Sequence, residues 1–224
     1  MYKPMDDKLF LEKFDLLYER VRLHMMSAPG CHDFDHVLRV LHNARLILKE
    51  EKGADRNIVE FGALLHDIAR PEELEAKGTI CHAECGAKLC VSMLVECGVS
   101  DPALTEKISS TVLRHRYRGG NQPVSLEDKI VYDADKLDSI GCVGIGRAFH
   151  FAGRIGARLH NTAEEAVSSK AYSQEDSAYR EYLVKLKHVP EKMLTASGRA
   201  LAEKREVRMK VFFDTLNKEI YDKQ

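Results

Sequence analysis

A histidine and an aspartate stand side by side near the end of an almost wholly apolar stretch, FGALLHDIAR, at residues 61–70. A helix that is apolar on nearly every side is normally buried. Burying an ionised carboxylate beside a histidine is costly unless another group compensates, and a metal cation is the simplest such group. The His66-Asp67 pair is therefore the first candidate for chemistry, and the chemistry that it favours is metal binding.

Two further metal donors stand on other predicted helices. His36 lies on the apolar stripe of a helix predicted to follow Asp33, and Asp135 lies on the acidic side of a helix predicted to follow Ser125. With the His-Asp pair, they make two imidazoles and two carboxylates. Such a set suits manganese, magnesium, iron, nickel or zinc and leaves coordination positions for water.

Helical spacing of apolar residues predicts the elements that would position these donors. Asp33, Asp55 and Ser125 are the predicted N-caps of the three donor helices. Pro71 is predicted to force a break after the helix that ends near residue 68. Residues 161–172 are predicted to form a polar, exposed segment. The predicted helices cover residues 7–24, 33–51, 58–68, 82–96, 102–114, 125–140, 173–187 and 191–222, with a short helix inside 141–159. No alternating strand pattern occurs, so the sequence predicts an all-α fold.

Three segments, HDFDHVLRV, LLHDIAR and YDADKLDSIG, resemble in order and spacing the H…HD…D signature of the HD-domain phosphohydrolases. The resemblance extends through IGRAFHFAG and LTASGRALAEKREVRMKVFF to single-domain bacterial and archaeal members that include nucleotide pyrophosphohydrolases. It implies a single helical HD-domain bundle over residues 1–224, with a core at about 33–140. The remainder, about 141–224, would be a helical extension that ends in a charged helix.

The resemblance implies that His36, His66, Asp67 and Asp135 bind one divalent metal, with manganese or magnesium preferred over iron, nickel or zinc. Asp67 would also orient the nucleophile. The implied reaction is hydrolysis of a phosphoester or phosphoanhydride by a metal-activated water, with no covalent intermediate.

Several cationic residues are candidates for binding the substrate's phosphates. Arg39 stands one helical turn from His36, and Lys136 stands beside Asp135. Arg70 occupies the place where many HD proteins carry lysine, and its guanidinium can bind two phosphate oxygens. Arg147 follows the helix of Asp135 and is the best candidate among the arginines of residues 141–159.

His82 and His115 each stand at one end of a predicted helix. They would contact phosphate or protonate the leaving group, and we predict this catalytic role for both. Binding of a second metal, as in two-metal members of the superfamily, is the less favoured alternative, and simple solvation at a helix end is the third. Five further histidines are predicted not to be ligands, and they are His32, His42, His150, His160 and His188.

Composition excludes several classes of partner. The formal net charge is -1, and no basic stripe with interleaved aromatic residues occurs, so nucleic-acid binding is disfavoured. No run approaches the ~20 apolar residues that span a bilayer, and the polar start lacks a signal-peptide core, which favours a cytoplasmic protein. The six cysteines are predicted to be reduced, and a zinc site at Cys81, His82 and Cys85 is disfavoured because no CxxC pair occurs.

The sequence therefore predicts a metal-dependent phosphohydrolase for a nucleotide or a related small phosphorylated molecule. Release of pyrophosphate from a nucleoside triphosphate is the more specific version. The alternatives are 5′-nucleotidase or phosphodiesterase activity, or a module that senses a nucleotide without turnover. Either a monomer or a homodimer is compatible with the sequence.

Overall fold

The computed structural model describes residues 5–28, 30–117 and 120–221. Within these ranges the chain forms α-helices, four short 3₁₀ helices and no β-strand, which confirms the all-α prediction. The α-helices are α1 (Asp7–His24), α2 (Phe34–Glu50), α3 (Arg56–Leu65), α4 (Arg70–Glu75), α5 (His82–Glu96), α6 (Pro102–Arg114), α7 (Leu126–Asp138), α8 (Gly141–Arg154), α9 (Ala163–Ser168), α10 (Ala178–Val184) and α11 (Ala196–Tyr221).

The three predicted N-caps are confirmed. The carboxylate of Asp33 accepts a hydrogen bond of 3.0 Å from a backbone N–H in the first turn of α2. Asp55 accepts one of 2.8 Å in the first turn of α3, and the hydroxyl of Ser125 accepts one of 3.0 Å in α7. Each bond satisfies an N–H that has no partner within its helix, so the caps fix where the donor helices begin.

The helix that leads to the His-Asp pair ends earlier than the sequence predicted. It was expected to continue to about residue 68, but α3 ends at Leu65 and a turn follows. Ile68 donates its backbone N–H to the Leu65 carbonyl (3.1 Å), and Arg70 donates to the Asp67 carbonyl (3.0 Å). These three-residue spacings tighten the chain, so the pair projects from a turn.

The predicted break near Pro71 is confirmed, because α3 ends before this residue and a separate helix, α4, begins with Pro71 in its first turn. Proline has no N–H to donate and its φ angle suits a helix start, so this position tolerates it. The short helix places Arg70 and Glu73 three residues apart, within reach of each other.

Helix α3 lies at the centre of the first half of the chain. It packs against α1, α2 and α6, and its side chains are buried from Asn57 to Leu65. The Phe61 ring is fully buried, with its centroid 5.3 Å from that of Phe10 and 5.9 Å from that of Phe14. The His-Asp pair therefore follows the most thoroughly packed helix of this unit.

One acidic residue interrupts the apolar surface of α3. Glu60 is buried, and its carboxylate accepts hydrogen bonds from Arg56 Nε (2.8 Å) and from Arg45 Nε (2.8 Å) and Nη2 (2.5 Å). Two guanidinium groups thus compensate one buried charge, as burial of an ionised carboxylate requires. Glu60 is explained by this ion cluster rather than by the metal-donor set.

Gly62 allows α3 to approach α6 closely, and we expect Gly62→Ala to destabilise the fold. A Cβ atom at Gly62 would lie 2.8 Å from Cγ2 and 3.3 Å from Cβ of the buried Thr111. Overpacking of this kind should lower the free energy of unfolding by about 1–3 kcal/mol, measured by chemical denaturation.

The matched control is Gly86→Ala on α5. A Cβ there would make only ordinary contacts, 3.4 Å from Val112 Cγ1 and 3.5 Å from Ile68 Cγ2. Removal of a helical glycine should then raise the free energy of unfolding by about 0.5–1 kcal/mol. Equal effects of the two substitutions would show that the approach of α3 to α6 is not sterically limiting.

The chain divides into two compact units, Met1–Asp135 and Lys136–Gln224. The prediction of a single domain with a core at residues 33–140 stays a prediction. In the second unit, α8 packs against α10 and α11, and Phe213 of α11 stacks on Tyr182 with ring centroids 4.6 Å apart. No helix in the described ranges is both long enough and apolar enough to cross a membrane.

The segment at 161–172, predicted as polar and exposed, contains the short helix α9. Thr162 and Glu165 form a reciprocal capping box at its start, a signal that the sequence carries as T-x-x-E. Asn161 is buried and donates to the Glu175 carbonyl (2.8 Å). Most residues of the segment are exposed, as predicted, but the segment is more ordered than its composition predicts.

Candidate metal centre

Five elements of the first unit deliver acidic and histidine side chains to one place. His36 comes from the first turn of α2, and His66 and Asp67 come from the turn after α3. The remaining side chains are those of His82 at the start of α5, His115 directly after α6, and Asp135 on α7.

The four residues predicted as metal ligands lie together. His36 Nε2 lies 3.2 Å from His66 Nε2, 3.5 Å from Asp67 Oδ2 and 3.5 Å from Asp135 Oδ1. His66 Nε2 lies 3.8 Å from Asp67 Oδ2. Ligands placed ~2.0–2.2 Å from one metal ion are separated by such distances. His36, His66 and Asp67 are buried, whereas Asp135 is partly exposed.

His82 and His115 face the other oxygen of the same carboxylate. Asp67 Oδ1 lies 3.1 Å from His82 Nε2 and 3.4 Å from His115 Nε2, and the two Nε2 atoms are 3.3 Å apart. Both imidazoles are buried. Asp67 therefore stands between two histidine groups, one at each of its oxygens, and each group could hold a metal ion.

Backbone carbonyls fix the orientation of two of these imidazoles. Nδ1 of His66 lies 2.8 Å from the Ala63 carbonyl oxygen, and Nδ1 of His115 lies 2.6 Å from the Val112 carbonyl oxygen. A carbonyl only accepts, so each Nδ1 must carry the hydrogen. Burial lowers the pKa of His66 to about 3 and also lowers that of His115, so both rings are neutral near pH 7 and turn an Nε2 lone pair toward Asp67.

Asp67 is a buried and ionised carboxylate. Burial alone would raise its pKa, but the positive charge of Arg70 and the hydrogen bond from His32 hold the pKa well below its usual range. Its Oδ1 is buried without a hydrogen-bond partner among the described residues. An anionic oxygen that faces imidazole lone pairs is an unfavourable arrangement unless a cation lies between them. These donors therefore fit a divalent metal ion.

Sequence reasoning missed His32. Its Nδ1 lies 2.9 Å from Asp67 Oδ2, and its ring packs edge-on against that of His36. Burial lowers the pKa of His32 although Asp67 opposes this shift, so a neutral ring donates its Nδ1 hydrogen to the carboxylate. The segment HDFDH is the sequence signal that could have identified His32. There Asp33 is predicted as a helix cap, and His32 is predicted not to be a ligand. Both residues have separate roles.

Sequence reasoning also missed Glu73 and Arg116. Arg70, which was predicted, places Nε 3.0 Å from Asp67 Oδ2 and donates from Nη1 to Glu73 Oε2 (2.7 Å). Arg116 donates from Nη1 to Glu73 Oε1 (3.3 Å). No helical period marks these two positions, because α4 is short and Arg116 follows the end of α6.

The other predicted phosphate-binding residues are distributed along the chain. Arg39 is half-buried on α2, one turn from His36, and Lys136 is half-buried on α7 next to Asp135. Arg147 of the second unit donates from Nη1 to the Asp138 carboxylate (2.5 Å). A role of these side chains in binding substrate stays a prediction.

The histidines predicted as non-ligands, other than His32, belong to no donor group in the described ranges. His42 and His150 are exposed, and His188 faces Glu191 at 3.5 Å. His160 is buried, and its Nε2 lies 2.8 Å from Asn217 Oδ1.

The cysteines form no disulfide and no metal site in the part of the chain that the structure describes. All six are free thiols, as predicted. His82 directs its ring nitrogens to Asp67 and Glu73, and no donor group among the described residues contains Cys81 or Cys85. The disfavoured zinc interpretation is therefore not supported.

Known proteins resemble this chain in sequence and in structure. Residues 33–140 match the HD domain family. The uncharacterised protein YpgQ of Bacillus subtilis is 37% identical over 196 residues, which cover 84% of each chain. The crystal structure of a predicted HD superfamily hydrolase from an uncultured Thermotogales bacterium shares 29% identity and superposes with a TM-score of 0.65, covering 91% of this chain and 90% of that one. YpgQ in complex with ADP superposes with a TM-score of 0.71 at 29% identity, covering 96% and 98%.

Proposed function

Because the chain belongs to the HD-domain family of hydrolases, we propose that it is a metal-dependent phosphohydrolase acting on nucleotides or related small phosphorylated molecules. The observation that carries this proposal is Asp67, a buried, ionised carboxylate with histidine nitrogens at both oxygens. A charge buried in this way is compensated most simply by a cation. Two of the surrounding donors, His32 and Asp135, are partly exposed to solvent.

In this proposal His36, His66, Asp67 and Asp135 hold one divalent ion, with manganese or magnesium preferred. Such an ion supplies an acidified water and polarises a phosphoryl oxygen when it is bound. The oxygen and nitrogen donors suit these metals, and the partly exposed side of Asp135 gives small molecules access. A second ion, which His82 and His115 would help to hold, remains the less favoured alternative.

In the proposed reaction, the residues of the centre have separate roles. Asp67 orients the nucleophile, and the hydrogen bond from His32 to its Oδ2 fixes that carboxylate. His82 and His115 face the substrate, where each can contact a phosphate oxygen or give a proton to the leaving group once its Nε2 has taken up a proton from solvent. The guanidinium of Arg70, held beside Asp67, offsets charge that develops on phosphorus.

Arg39, Lys136 and Arg147 are proposed as further contacts to the substrate's phosphates. Cationic side chains stabilise phosphate most when they are held in place before the substrate arrives. Arg147 is held in this way by Asp138.

Release of pyrophosphate from a nucleoside triphosphate is the more specific version of the proposal. Its support is that YpgQ, a relative of this chain, has been crystallised with ADP, a nucleotide with a phosphoanhydride bond. Removal of a 5′-phosphate and cleavage of a phosphodiester are the alternatives within the same chemistry. Sensing of a nucleotide without turnover is the alternative from another class.

A substrate panel tests the proposal. Phosphate and pyrophosphate release should be measured with nucleoside mono-, di- and triphosphates and a phosphodiester, in manganese, in magnesium and in chelator. We expect metal-dependent pyrophosphate release from triphosphates. Release of phosphate from monophosphates alone would assign a 5′-nucleotidase. Tight nucleotide binding without any release would instead support a sensor.

A further inference from the structure

Glu73 lies outside the predicted ligand set, yet its carboxylate contacts three groups at the edge of the centre. Oε2 lies 2.9 Å from His82 Nδ1 and accepts from Arg70 Nη1 at 2.7 Å. Oε1 accepts from Arg116 Nη1 at 3.3 Å. Each of these partners also lies next to Asp67 or to a residue that contacts Asp67, so Glu73 could influence the centre without touching it.

The contact with His82 constrains where that ring carries hydrogen. An ionised carboxylate can only accept a hydrogen bond, so at 2.9 Å the Nδ1 atom of His82 must donate to Glu73. Burial raises the pKa of Glu73, but the hydrogen bond from His82 and the charge and hydrogen bond of Arg70 outweigh this and lower the pKa to about 2. Glu73 is therefore ionised at neutral pH and available as an acceptor.

Two other neighbours favour the opposite arrangement of hydrogen on His82. Asp67 Oδ1 lies 3.1 Å from Nε2, and its negative charge favours a hydrogen placed there. Arg116 Nη1 lies 3.2 Å from Nδ1, and a guanidinium can only donate, so it favours an Nδ1 that accepts. Without Glu73, both neighbours would draw the ring toward an Nδ1 that is unprotonated.

We infer that Glu73 is a positioning residue that keeps hydrogen on Nδ1 of His82 and leaves Nε2 as the one ring nitrogen that serves the centre. It does so through the shortest contact that His82 makes, while the same carboxylate engages the guanidinium of Arg116 that would otherwise compete for Nδ1. Carboxylates that orient a functional histidine through its second nitrogen act in this way in metal sites generally.

The effect of Glu73 on catalysis rests on the proposed function, in which His82 faces the substrate. The effect of Glu73 on the hydrogen position of the His82 ring does not depend on the proposed function. The two are separable because the position of hydrogen on an imidazole can be observed directly by ¹⁵N NMR in the full-length protein, with or without magnesium and without any substrate.

The test compares Glu73→Ala, Glu73→Gln and Arg116→Ala with a control, Glu75→Gln, which removes the same charge from an exposed position on α4. Imidazole signals of His82 are assigned by their absence in His82→Gln. We expect a protonated Nδ1 in the wild type, in Arg116→Ala and in Glu75→Gln. Glu73→Ala should lose that hydrogen, whereas the amide oxygen of Glu73→Gln can accept it and should restore the wild-type pattern.

The rate of turnover should change in the variants in which the hydrogen position on the His82 ring changes. If the wild type hydrolyses nucleotides, kcat should fall by about 10–100-fold in Glu73→Ala, recover partly in Glu73→Gln and stay unchanged in Glu75→Gln. An unprotonated Nδ1 in the wild type, or a protonated Nδ1 in Glu73→Ala, would overturn the inference. A changed ring in a protein that hydrolyses none of the panel would support the inference and count against the proposed function instead.

Discussion

Asp67→Asn is expected to reduce metal-dependent hydrolysis by about 10³-fold or more, which exceeds the ~10–100-fold loss that follows removal of a partner behind a ligand. The substitution keeps the size of the side chain but removes the charge that both histidine groups face. The new amide must also present an NH₂ group either toward the His32 Nδ1 hydrogen and Arg70 or toward the other histidines. Metal affinity should fall with activity.

Manganese binding, measured by calorimetry, and product release from the substrate panel test this prediction together. We expect about one manganese ion for each wild-type chain and weak or undetectable binding by the variant. Asp35→Asn is the matched control, since it removes an exposed carboxylate from the first turn of α2. The prediction fails if Asp67→Asn retains turnover within tenfold of the wild type.

Phe61→Ala is expected to lower the free energy of unfolding by about 3–5 kcal/mol. Phe61 is fully buried between α3 and the Phe10 and Phe14 rings of α1, and loss of its ring would leave a cavity lined by aromatic groups. The Phe10 and Phe14 rings would also lose their contacts with the Phe61 ring, which an alanine side chain cannot replace.

Denaturation by guanidinium chloride, followed by circular dichroism, measures this loss. Leu16→Ala on α1 is the control, because Leu16 is 52% exposed and its truncation should change stability by no more than about 0.5 kcal/mol. A cost below about 1 kcal/mol for Phe61→Ala would show that the aromatic cluster does not hold α3 in place.

The part of the site that could be predicted is the part that regular helices carry or abut. Helical periodicity placed His36 on a core-facing stripe, and the apolar run of α3 marked the His66-Asp67 pair as buried. Their meeting with Asp135 followed from the resemblance to the HD signature. The structure brings all four together, although their role as ligands stays a prediction.

The residues that were missed lie where no periodicity applies. His32 precedes α2 in a 3₁₀ helix, Glu73 lies on a helix of six residues, and Arg116 follows α6. In such segments the side-chain directions depend on turns and tertiary contacts, which local spacing does not encode. Pro71 illustrates the same limit, because the break there was predicted but the helix α4 that begins there was not.

The unequal packing of α3 and α4 has a consequence for local opening. Side chains of α3 are buried along nearly its whole length, whereas α4 has no buried residue. Elements with few buried contacts open at lower free energy than the core does. Amide hydrogens of α4 should therefore exchange with deuterium well before those of α3. When α4 opens, Arg70 would lose its contact with Asp67 and Glu73 its contact with His82. Both contacts would form again when α4 closes, while His66 and Asp67 keep their geometry.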